Sequence, residues 1–152
     1  MIGPQLSCKG KFDDHIITIA ARKGDEQMMT ALLKLCPEYA DLICPGKATP
    51  LMMTKLNEDS RAAEVARVLL ATGTVAIDAT DEYEGTALTG AFRYCKLELC
   101  KVLIGHGADM SRIIRFDEHG EPVCVTSCGF PARDEELQDA LLEFSCTQKH
   151  AD

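Results

Sequence analysis

An all-α array of stacked helical pairs is the fold class this sequence predicts, and three observations predict it. The first is a stretch from Glu84 to Asp109 with two amphipathic segments. Ala87, Leu88, Ala91 and Phe92 line one helix face, and Leu99, Val102, Leu103 and Ile104 line the next. Thr86 stands at the first helix start, and Gly105 and Gly107 close the second. The second observation is that the same grammar recurs upstream, from Thr49 to Gly73, and more loosely at both ends of the chain. The third is composition. The 152 residues are 46% hydrophobic but only 5% aromatic, with no Trp. A core must then be built from aliphatic side chains, which suits closely packed helices.

Taken in order, the first unit covers residues 12–44. Asp13 to Asp25 carries Ala20-Ala21 and the Gly24 turn. Met28, Leu32, Leu33 and Leu35 supply the apolar residues of its second helix, which Cys36-Pro37 ends. The second unit, 45–80, opens with Thr49-Pro50-Leu51-Met52, a capping Thr ahead of a Pro at the first helical position. Val65, Val68, Leu69 and Leu70 form its second helix, Gly73 stops it, and Ile77-Asp78-Ala79 enters an extended turn. Thr86 to Leu103 spans 17 positions, whereas Thr49 to Leu69 spans 20. The three extra residues are expected in the turn Asn57-Glu58-Asp59-Ser60, with Ser60 capping the helix that follows. The third unit, 81–115, is the stretch already described. In the fourth, 116–144, Asp117 to Cys124 reads as a unit opening, with a helix starting at Pro122-Val123-Cys124. A last helix carries Leu137, Leu141 and Leu142. Residues 1–11 and 145–152 are expected to be mobile tails.

From Glu84 to Asp109 the sequence resembles an ankyrin repeat along its whole length, and the resemblance extends over about residues 12 to 144. It implies a solenoid of about four helix-turn-helix repeats with short extended turns, two internal and two divergent caps. The departures are specific. The His that usually follows Thr-Pro-Leu is Met52 in the second unit and Thr89 in the third. The Gly between paired helices survives only as Gly24, and Cys95 holds that place in the third unit.

The resemblance also implies a mode of action: non-catalytic binding of a protein partner, gripped on the concave face by turn tips and inner helix ends. Carried over position by position, the contact residues are Glu82 and Tyr83 at the third tip, with Arg93 and Tyr94 at the helix end. Gly46 and Lys47 hold the second tip, and Leu56 and Asn57 the helix end. Arg22 and Lys23 end the first inner helix. In the fourth unit Glu118 and His119 take the tip and Phe130 the helix end. Tyr83, Arg93 and Tyr94 are the expected anchor, because Tyr and Arg dominate interface hot spots. Met52 is a lesser candidate, an adaptable side chain if exposed.

Composition narrows the alternatives. A formal net charge of −8 argues against nucleic acid or an anionic membrane as partner. No apolar run approaches the ~20 residues of a membrane span. Met1 to Phe12 shows no apolar signal core, and Gly3 is not the second residue, so neither secretion nor myristoylation is expected. The eight cysteines then read as reduced thiols of a cytoplasmic or nuclear protein. No cofactor is expected, and a monomer is.

His119, Cys124 and Cys128 could be drawn as a metal site, but a closed zinc site needs four ligands with paired spacing. Cys95 and Cys100 are expected as core thiols. No nucleophile motif accompanies His15, His106, His119 or His150, and no Gly-rich phosphate loop is present, so no catalytic residue is assigned. Two other functional classes stay open. One is a regulatory or inhibitory subunit of an enzyme. The other is a thiol-based redox sensor or small metal-binding protein.

Overall fold

The computed structural model describes residues 15–116, 118–119, 122–124 and 135–150. The expected N-terminal tail, Phe130 and Cys128 lie outside the described residues. Three helical pairs follow one another: α1 (Ile16–Lys23) with α2 (Glu26–Leu35), α3 (Pro50–Met53) with α4 (Asp59–Leu70), and α5 (Ala87–Arg93) with α6 (Leu97–Gly105). They build two layers. The first helices stack α1 on α3 on α5, the second stack α2 on α4 on α6, and α7 (Glu135–His150) packs on α6. One apolar cluster runs through all of it, from Ile17 and Met29 through Leu51, Leu69 and Leu88 to Leu103 and Leu141. Buried alanines (Ala20, Ala21, Ala62, Ala66, Ala87 and Ala91) line the layer contacts and let helix backbones approach closely.

The first pair turns at Gly24, whose φ of +68° is the left-handed conformation that closes a helix; its N–H reaches the carbonyls of Ala20 and Ala21. Asp25 then caps α2, its side chain accepting from Met28 N at 2.9 Å. That start sets the register. Met29, Leu32 and Leu33 face the core, with Met29 0% exposed, whereas Met28 is 39% exposed and Leu35 lies out in solvent. The expected Met28 and Leu35 core positions are therefore one residue off the buried stripe.

The second pair departs further from expectation. Thr49 stands at the N-cap of α3, but its side chain makes no cap hydrogen bond. The helix runs only four residues before a 3-10 turn, Thr54–Leu56. Buried Thr54 donates from Oγ1 to the Leu51 carbonyl at 2.7 Å, the back-bonding that bends helices. Ser60 is not a cap, because α4 already begins at Asp59. Nor do the extra residues of this unit swell the turn. They lengthen α4, which has 12 residues where α6 has 9. Gly73, with φ +72°, follows the helix end as expected.

The third pair matches its expectation. Thr86 and Thr89 form a capping box: Thr89 N donates to Thr86 Oγ1 at 3.2 Å and Thr86 N donates to Thr89 Oγ1 at 2.8 Å. Cys95 takes φ +56° in the turn, doing in a side-chain-bearing residue what Gly24 does in the first pair.

Beyond Gly107 the helical pattern changes. Ile114–Phe116 (β1) pairs antiparallel with Pro122–Cys124 (β2) in the register Ile114↔Cys124, Arg115↔Val123, Phe116↔Pro122. The helix expected to open at Pro122 is thus a strand. A partner rich in β-branched and aromatic residues lies a short turn upstream, and ladder hydrogen bonds to it win over a helix led by Pro122. The last helix carries Leu141 fully buried, and it continues through His150, where a mobile tail was expected from 145.

Candidate protein-binding surface

The inner helix layer ends in a row. Arg22 and Lys23 finish α1, Lys55 and Leu56 lie in the 3-10 turn after α3, and Arg93 finishes α5 with Tyr94 as its C-cap. Because α1 packs on α3 and α3 on α5, these ends neighbour one another. Arg22, Lys23 and Arg93 are exposed; Leu56 is 45% and Tyr94 47% exposed. Lys55 was not foreseen, yet it joins two units. A Cβ added at Gly90 would come 2.8 Å from Lys55 Cδ, so the glycine makes room for the lysine stem. The ammonium then lies 5.5 Å from the Tyr94 ring centroid, a cation–π contact.

Asn57, expected on this surface, faces its own protein. Its side-chain amide donates to the Ala21 carbonyl of the first pair. Asp59 spans the next joint: its two carboxylate oxygens accept from Glu98 N at 2.9 Å and Leu99 N at 3.0 Å, capping α6 from the neighbouring repeat. Asp78 accepts from Asp109 N at 2.9 Å in the same manner.

The tips form a second row. Asp81 Oδ1 accepts from Tyr83 N and Gly85 N, both at 2.9 Å, which fixes the third tip; Glu84 takes φ +62° inside it. Glu82 N donates to Gly46 O at 2.9 Å, joining the third tip to the second, where Lys47 also takes a positive φ. Tyr83 projects from this braced tip, 84% exposed. The tip and the helix-end row lie at opposite ends of α5, roughly 10 Å apart for seven residues. Tyr83 is therefore not clustered with Arg93 and Tyr94. His119 belongs to the turn between β1 and β2, exposed, with Nε2 3.7 Å from Glu118 Oε1. Met52 is buried and serves the core.

Asp59, Asp78 and Asp81 escaped the sequence reading because their partners are backbone amides, which no residue pattern displays. A weak signal did exist for Asp81, an Asx residue four positions before Gly85.

The thiols divide. Cys36 and Cys100 are buried, Cys44 is half-buried and Cys95 is exposed, and all four are thiols. Cys95 is thus not the core thiol expected. Burial, then the Asp59 carboxylate and Cys95, push the Cys100 thiol well above its ordinary value. Among the described residues no three His, Cys, Asp or Glu side chains group as a metal site, and no helix is long and apolar enough to cross a membrane.

A family model for ankyrin repeats, in three copies, matches residues 17–113, which spans the three helical pairs and stops as the hairpin begins. No curated protein matches the chain.

Proposed function

The chain belongs to the ankyrin-repeat family, and on that premise we propose that it is a non-catalytic module that docks a protein partner on its inner helix ends and turn tips. Repeats of this family generally mediate protein–protein contacts and are typically non-catalytic. What carries the reading for this chain is the display of Tyr83 and Tyr94. Each is a large aromatic left in solvent on a braced element. Aromatic side chains held this way lose little entropy on binding, so a preformed surface can reach useful affinity through few anchors. The thiols support a reducing compartment, cytoplasm or nucleus, as the place of action.

The test is affinity capture from a lysate of the native source, with the wild-type chain beside a Tyr83→Ala/Arg93→Ala/Tyr94→Ala variant of unchanged urea midpoint. A partner that binds the wild type at least about tenfold more tightly, as expected when hot-spot anchors are removed, supports the surface. Equal retention by both would move the site elsewhere.

A further inference from the structure

Charge is unevenly shared between the two helix layers, although the chain as a whole carries 24 acidic and 16 basic side chains. The inner segments 16–23, 50–56 and 87–93 contain no Asp or Glu, and they carry Arg22, Lys23, Lys55 and Arg93. The helix dipole favours a cation at each helix end, which accounts for part of this. It equally favours an acid in each first turn. The outer helices all have one, Glu26 in α2, Asp59 in α4 and Glu98 in α6, whereas α1, α3 and α5 have none. Acid is thus missing from the inner layer even where local helix electrostatics would reward it. Two acids that border the row, Asp25 and Asp59, are turned onto backbone amides as caps. Glu58 is the exposed acid that remains in the second turn.

We propose that the inner helix ends form a basic ridge that takes an extended acidic segment of the partner, with an apolar side chain of that segment seated between Leu56 and Tyr94. The proposal rests on the reading of the chain as a protein-binding module and names the chemistry of what is bound. Its dimensions follow from the stacking. Two interhelix steps of about 8–10 Å separate α1 from α5, and an extended chain advances about 3.3 Å per residue. Five or six residues therefore reach from Lys23 to Arg93. Lys55 stands at the middle, its stem laid over Gly90 and its ammonium held by Tyr94. A carboxylate meeting Lys55 brings the neighbouring residue of its chain onto exposed Leu56 and Tyr94. The outer acids and the acidic tip residues Glu82 and Glu84 repel the same peptide elsewhere.

Three fluorescein-labelled octapeptides test this by anisotropy against the full chain: Glu/Asp-rich with a central Leu, the same sequence with Lys at each acidic place, and a Ser/Gln version. The acidic peptide is expected to bind and the Lys version not to bind. Lys23→Glu with Lys55→Glu is expected to raise Kd about tenfold. Raising salt from about 0.1 M to about 1 M, which cuts the Debye length from about 10 to 3 Å, is expected to weaken binding similarly. Lys55→Gln keeps the stem over Gly90, so a smaller loss in that variant separates charge from misfolding. Binding of all three peptides alike, or a Kd unmoved by the variants and by salt, overturns the acidic-segment proposal. Binding of none overturns it as well. In each of these cases a captured partner lost on the Tyr83/Arg93/Tyr94 substitution still leaves the protein-binding reading standing.

Discussion

The second and third repeats share one pattern of residues and are secured in different ways. The third caps its own inner helix: Thr86 and Thr89 close a capping box on α5, and Cys95 makes the turn into α6. The second is held by its neighbours. Its inner helix is four residues long and lacks a side-chain cap. It is tied to the first repeat by Asn57 and to the third by Lys55 and Asp59. A repeat array needs both kinds of bond. Local caps decide where helices start, and cross-repeat bonds couple units that are not stable alone. The middle repeat of three has neighbours on both sides, so weak local signals cost it least.

The sharpest way to break this comparison is Asp59→Ala. Two charge-assisted caps on α6 disappear, along with a favourable acid at the start of α4, and a loss of about 2 kcal/mol is expected. Urea unfolding measures it, with Ser60→Ala beside it. Ser60 is exposed and caps nothing, so that change is expected to stay within about 0.5 kcal/mol. If the two substitutions cost the same, Asp59 does not couple the repeats.

This pair of neighbours also marks how far the sequence was legible. Helix ends announced by Gly24, Gly73 and Gly107, or by Thr86, were read correctly, because the chemistry that stops or starts a helix is carried by those residues themselves. The cap of α6 was not, because Asp59 lies 39 and 40 positions from the amides it serves. A polar residue in a turn reads as local punctuation until the fold brings its partner near. Asn57 was misassigned for the same reason. It was placed on the binding surface by position, while its real partner, Ala21 O, is 36 residues away. The slip from Met29 to Met28 had a different origin: both are Met, and only the start of α2 at Glu26 decides which faces inward. Tyr83, Arg93 and Tyr94 were correctly seen as surface residues, but the seven residues of α5 that hold Tyr83 apart from the other two could not be weighed without the helix.

A smaller effect sharpens the contrast at the helix starts. Thr86→Val and Thr49→Val make the same near-isosteric change in the two repeats. At Thr86 the cap to Thr89 N is lost, and about 1 kcal/mol should go with it. At Thr49 no side-chain cap exists to lose, and the site is buried, so Val should be near neutral or slightly stabilising. Equal losses in urea unfolding would mean that both hydroxyls cap in solution.

The smallest expected effect has the opposite sign. Cys95 occupies the turn that Gly24 makes in the first repeat, and both residues are left-handed, with φ of +56° and +68°. A side chain in that conformation costs about 1–2 kcal/mol, because Cβ crowds the following carbonyl oxygen. Glycine removes the crowding and returns part of the gain through the greater freedom of its unfolded chain, about 0.5–1 kcal/mol. Cys95→Gly should therefore stabilise the protein by about 0.5–1 kcal/mol, and Cys95→Ala, which keeps the Cβ, should not. Cys95 is exposed, so neither substitution opens a cavity in the core. If alanine stabilises as much as glycine, the gain comes from removing the thiol and not from relaxing the backbone. If neither does, the packing of α5 against α6 sets the turn whatever residue fills it, and the third repeat is secured by its own helix pair as well as by its caps.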